Sequence, residues 1–135
     1  MNRDAFIRLL CGKFAEDYQD VYLRGSANGW LEQEDDMFKS GLINRRNAAR
    51  IIHNYLLKEK NIPDLSDISK ASELRDLYDC RVCVNHIAQV YLREIMDAKP
   101  LSKDGKYIYF DHEGIVVPDD AEIYLNKAFE IASGR

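Results

Sequence analysis

The chain has 135 residues, 46% of them hydrophobic and 31% charged, with a formal net charge of -4. That is enough apolar material for one compact domain over 1–135, and too much for a disordered or low-complexity chain. Residues 1–60 carry ten Lys and Arg against nine Asp and Glu, and residues 61–135 carry nine against fourteen, so neither half is basic enough to hold nucleic acid by charge. No apolar run reaches the roughly 20 residues that cross a bilayer, so membrane insertion is not expected. The opening Met1-Asn2-Arg3-Asp4-Ala5-Phe6 does not read as a secretory signal. The chain is therefore expected to be cytoplasmic if Met1 is a natural start, and at the cell surface if it is a piece of a longer protein. Three cysteines leave at least one unpaired, which fits a reducing compartment better than a disulfide-built secreted module.

In chain order, the periodicity predicts a first helix over Asp4–Tyr18 and a short second helix over Val21–Ala27, ended by Asn28-Gly29, since both residues tolerate positive φ. A loop with the acids Glu32, Glu34, Asp35 and Asp36 follows, expected to be solvated. The clearest helix runs from Arg45 to Lys60 behind Asn44, whose side chain can accept from the free amides of the first turn. Ala48, Ala49, Ile52, Tyr55 and Leu56 form its apolar stripe, with Arg46, Arg50 and His53 opposite and Arg45 inside the stripe. A short helix is predicted over Ser69–Leu77, and a long one over Cys80–Met96 capped by Asp79, with Asn85, Gln89 and Arg93 on its wet face. Tyr107–Phe110 and Ile115–Val117 flank a four-residue turn and can form a small β-hairpin over 107–117. A last helix starts at Pro118, with Asp119, Asp120 and Glu122 at its positive end. The fold class is mainly all-α.

The chain also repeats its own pattern. Val21–Trp30 lies over His86–Ile95, and Ile43–Ala48 over Val116–Ala121. A two-helix unit cannot bury its apolar faces alone, so such units stack. Ala27-Asn28-Gly29-Trp30, Asn44-Arg45-Arg46-Asn47-Ala48, Leu74-Arg75-Asp76-Leu77, Glu94-Ile95-Met96, Phe110 and Gly114-Ile115 together resemble the S-layer homology (SLH) domain of bacterial surface proteins. The resemblance spans a first repeat at 17–60 and a second at 74–132. Asn44 stands where the family has Thr, and Pro118 where it has Arg. The resemblance implies a non-catalytic attachment module that binds a cell-wall polysaccharide, often pyruvylated. Two repeats are visible where surface anchors of this family usually use three, so a third repeat from a second chain would make a homo-oligomer. The alternative is an intracellular protein–protein interaction domain on the same scaffold.

Arg45 is the leading ligand-binding candidate by this resemblance, because a guanidinium in an inter-helix groove can pair with a carboxylate on a glycan. Its bland alternative is a scaffold arginine that satisfies carbonyls or the acid cluster. Trp30 offers a stacking face for a sugar or, equally, a large core side chain. Asn28, Asn44 and Arg46 complete the candidate surface. Cys80-Arg81-Val82-Cys83-Val84-Asn85-His86 is a C-x2-C-x2-H string that, with Cys11 or His53, would supply four zinc ligands. Its expected place inside a helix, on the apolar stripe, points instead to cysteines acting as small hydrophobes, and no metal or cofactor is expected. A thioredoxin-like redox role would need a βαβ setting that is missing. No G-x-S-x-G, P-loop or H-E-x-x-H is present, no nucleophile stands at useful spacing from a histidine, and no enzyme is expected.

Overall fold

The computed structural model describes residues 1–134. Helices α1 (Arg3–Phe14), α2 (Val21–Asn28), α3 (Gln33–Met37), α4 (Arg45–Lys58), α5 (Val84–Leu92) and α6 (Pro118–Ser133) carry the fold, with 3-10 turns at Ser69–Glu73, Leu77–Asp79 and Arg81–Cys83. The chain is mainly helical. A small sheet pairs β1 (Lys99–Pro100) with β2 (Ile108–Tyr109), antiparallel. β2 falls inside the expected hairpin, but its partner lies upstream. Ile115 instead bridges to Asn44, because Val116 is drawn into the centre of the molecule.

Local chemistry sets the helix ends. Asn2 and Asn44 cap α1 and α4, their side-chain oxygens accepting from Ala5 N and Asn47 N. Gly29 stops α2 at φ 91, a conformation that costs glycine nothing. Pro118 starts α6 at a position where no amide partner is lost. The loop after Trp30 is partly helical: α3 is closed by a capping box in which Glu32 and Asp35 each accept from the other's backbone N–H.

Three helix starts meet at the centre in a closed ring. Met1 N donates to Val116 O (2.8 Å), Val116 N to Ile43 O (3.0 Å), and Ile43 N to Met1 O (3.1 Å). Each ring residue stands two positions ahead of a helix: α1, α4 and α6. The correspondence extends outward. Arg3 N donates to Gly41 O as Arg45 N does to Gly114 O, both at 2.8 Å, and Asp4 N donates to Lys39 O as Arg46 N does to His112 O, both at 2.9 Å. The third helix start of this near-threefold arrangement comes from α1 of the same chain, so the ring closes without a second copy.

The core lies under the ring, between α1, α4, α5 and α6. Phe6, Ile7, Ile43, Ile52, Ile87, Phe110, Val116 and Leu125 are buried there. Trp30 packs edge-on against Tyr55, ring centres 4.8 Å apart, and Phe14 packs on the same tyrosine. α4 is covered on two sides, since α5 packs across the face expected to be wet. His53 is therefore buried, and Arg50 is buried against Asp35 of α3, both contrary to the stripe assignment. Gln89 on α5 is buried too. Its side-chain amide accepts from Leu65 N (2.9 Å) and donates to Leu65 O (3.1 Å), replacing the water that an exposed amide would have.

Candidate functional site

The five residues singled out from sequence fall in different environments. Arg45 is 3% exposed. Its Nε donates to Phe110 O at 2.8 Å, and its other nitrogens donate to the Tyr124 hydroxyl and the Asp97 carbonyl. Asp97 Oδ1 stands 3.5 Å away, and the guanidinium lies over the Phe110 ring. Arg45 thus ties α4 to the β2 loop and to α6 as an interior clamp. Trp30 is fully buried. It meets α4 at Tyr55, ten residues beyond Arg45 and so about 15 Å along the axis. Arg45 and Trp30 therefore do not share a groove. Asn28 lies near Trp30's end of α4, donating to Glu59 at 2.7 Å, and Asn44 is the α4 cap. Arg46, one residue on from the clamp, is half-buried and opens onto a cleft.

That cleft has a volume of about 460 Å³. One wall is Glu32 and Glu34 of the α3 segment with Arg46, Asn47 and Arg50 of α4. Beneath it sits Asp35, fully buried and not solvated as the acid run suggested. Asp35 accepts from Arg3 Nη1 (2.8 Å) and from both terminal nitrogens of Arg50 (3.0 and 2.7 Å). Two guanidiniums around one carboxylate leave one positive charge, which Glu32 and Glu34 flank at 3.7 and 3.4 Å from Arg50. Arg46 is held loosely, with Glu113 at 3.7 Å and His112 Nδ1 at 3.5 Å.

The opposite wall is Asp79, Cys80, Val82, Cys83 and His86. Cys80 and Cys83 are joined in a disulfide, Cα atoms 5.2 Å apart. They lie in the 3-10 turn that leads into α5, not inside a long helix, and Asp79 makes no side-chain cap. The turn keeps Val82 in solvent, 86% exposed, beside Tyr78 at 66%. Cys11, the third cysteine, is free and buried in α1, where burial and then Glu16 push its thiol up to about 11.

Behind His86 runs a short polar chain. His86 Nδ1 is 2.7 Å from His53 Nδ1, and His53 Nε2 is 2.6 Å from Asp64 Oδ1. Burial pushes the Asp64 carboxyl up, but hydrogen bonds from His53 and Asn85 outweigh it and hold it below the usual carboxylate range. Burial, then His53 and Arg50, bring His86 down to about 4, so its imidazole is neutral at neutral pH. The cleft thus combines a half-free guanidinium, carboxylates, an apolar edge, a disulfide and a neutral imidazole backed by a carboxylate.

Reasoning from sequence missed the disulfide, Asp64–His53–His86 and the buried role of Asp35. The C-x2-C-x2-H string was the one local signal. The histidine pair is 33 residues apart in sequence and becomes adjacent only when α5 docks on α4. Compared with family models, curated proteins and solved structures, the chain finds no match, so the site is read from its own chemistry.

Proposed function

We propose that this domain is a non-catalytic binding module of SLH-like design, and that the cleft beside Arg46 takes a glycan bearing a carboxylate, such as a cell-wall polysaccharide. The observation that carries this reading is Arg46 itself, a guanidinium at the cleft wall whose carboxylate neighbour, Glu113, is exposed and 3.7 Å away. A planar guanidinium matches a carboxylate with two parallel hydrogen bonds. Asn47 adds a donor, and Glu34 and Asp79 can accept from sugar hydroxyls. Val82 and the disulfide offer apolar surface to a sugar's C–H face. The near-threefold ring of helix starts supports the resemblance on which the glycan is chosen. This places the binding surface one residue away from the clamp Arg45.

Co-sedimentation with purified cell-wall sacculi tests the reading, using intact sacculi and sacculi stripped of their polysaccharide. Wild type is expected to sediment with the intact sacculi alone. Arg46→Ala is expected to weaken retention by about tenfold, a difference near 1.4 kcal/mol. Equal retention of wild type and Arg46→Ala, or none by wild type, would refute it. The protein-partner reading has one observation in its favour, the exposed Val82 on the cleft wall, four residues after the exposed Tyr78. It predicts that Val82→Asp, and not removal of polysaccharide, abolishes binding.

A further inference from the structure

We propose that Cys80–Cys83 is a thiol–disulfide exchange site, accepting two electrons from a dithiol on a partner protein, with His86 passing the thiol proton on to the His53–Asp64 pair. This goes beyond glycan binding and does not depend on it. Three observations carry it. First, the disulfide spans only two intervening residues, so it constrains the unfolded chain little, and a stapling role accounts poorly for it. Second, it lines the Arg46 cleft, with Cys80 half-buried and Cys83 8% exposed, so Cys80 is the more open of the two to an incoming thiolate. Cys83 stands at the N-cap position of α5, whose first-turn amides favour the anionic sulfur that leaves there.

Third, His86 lines the same cleft one helical turn after Cys83 and is wired to a proton store. In the tautomer in which His53 Nε2–H donates to Asp64, His53 Nδ1 offers a lone pair. His86 Nδ1–H must then donate to it, which leaves His86 Nε2 as a basic lone pair. A proton arriving at Nε2 lets the Nδ1 proton pass to His53, where Asp64 stabilises the imidazolium. The charged and titratable groups around His86 are His53 and Arg50 on α4, Asp64 in the following loop, Asp79 on its own wall, and Glu32, Glu34 and Arg46 across the cleft.

The partner's first thiol gives its proton through His86 to the His53–Asp64 pair and attacks Cys80 Sγ. The Cys80–Cys83 bond breaks, and Cys83 leaves as a thiolate and takes the proton back. The partner's second thiol attacks the partner sulfur of the mixed disulfide, and Cys80 leaves and is protonated. Two electrons and two protons pass from the partner dithiol to the cysteine pair, and the partner becomes a disulfide.

Dithiothreitol is the probe dithiol. In the folded domain at neutral pH it is expected to open Cys80–Cys83, read by alkylation and mass spectrometry, while Cys11 stays unmodified and circular dichroism is unchanged. With oxidised glutathione, Cys83→Ser is expected to form a mixed disulfide at Cys80 at least about tenfold faster than Cys80→Ser does at Cys83, as the difference in access requires. His86→Asn is expected to slow reduction of the otherwise intact domain and to shift its pH profile. Resistance of the disulfide to dithiothreitol until the domain unfolds would overturn the exchange site. So would equal rates for the two serine variants. An unchanged rate and pH profile in His86→Asn would overturn the proton role.

Discussion

Arg45 and Arg46 are neighbours in sequence and opposites in the structure. Arg45 is enclosed, its donors engaged by Phe110, Tyr124 and Asp97. Arg46 keeps a third of its side chain in water and faces a cleft. One step of about 100° around α4 separates a clamp from a side chain open to a cleft. The difference teaches that a motif arginine marks a helix start without saying which neighbour meets a ligand. A guanidinium whose hydrogen bonds are all satisfied inside the protein has none left to offer, and removing it strands its partners.

The largest effect that breaks this division is expected at Asp35, which lies beneath the open side and holds arginines from α1 and α4. Asp35→Ala leaves two buried guanidiniums with no carboxylate between them and should cost about 3–5 kcal/mol in urea denaturation. A smaller effect concerns pH. His86 is depressed to about 4 in the folded protein, so between its ordinary range near 6.5 and about 4 the unfolded chain binds the extra proton. Stability is then fully present above about 6.5 and falls as pH drops to about 4, on the order of 1–2 kcal/mol after allowance for partial exposure. Asp64, also depressed, adds loss in the same direction at lower pH. His86→Phe should flatten the upper part of that curve, measured as unfolding free energy against pH. The smallest effect is at Val82, so exposed that Val82→Ser should change stability by less than about 0.5 kcal/mol. The same variant should still lower retention on sacculi if the cleft's apolar edge meets the ligand.

Much of the helical scaffold was legible because its signals are local. Asn44 as a cap, Gly29 as a stop and Pro118 as a start each act within a few residues. The ring was legible in principle, since Asn2-Arg3 ahead of α1 matches Asn44-Arg45 ahead of α4, and the two-repeat comparison left α1 out. The cleft was not legible. Its walls join α3, α4 and the Cys80–Cys83 turn, and its polar groups are buried on a face of α4 that periodicity marks as wet. Periodicity reports one buried stripe, whereas α4 is packed on two sides. Gln89 and His53 look solvent-bound for the same reason, and each finds its partner in the loop around Asp64 and Leu65.

The division between the two arginines is tested most directly by urea denaturation of Arg45→Ala and Arg46→Ala side by side. Arg45→Ala should lose about 2–4 kcal/mol, because the Phe110 carbonyl and the Tyr124 hydroxyl stay buried without their donor. Arg46→Ala should stay within about 0.5 kcal/mol of wild type. Equal losses in the two variants, or a larger loss at Arg46, would contradict the assignment of one as clamp and the other as a side chain open to a cleft.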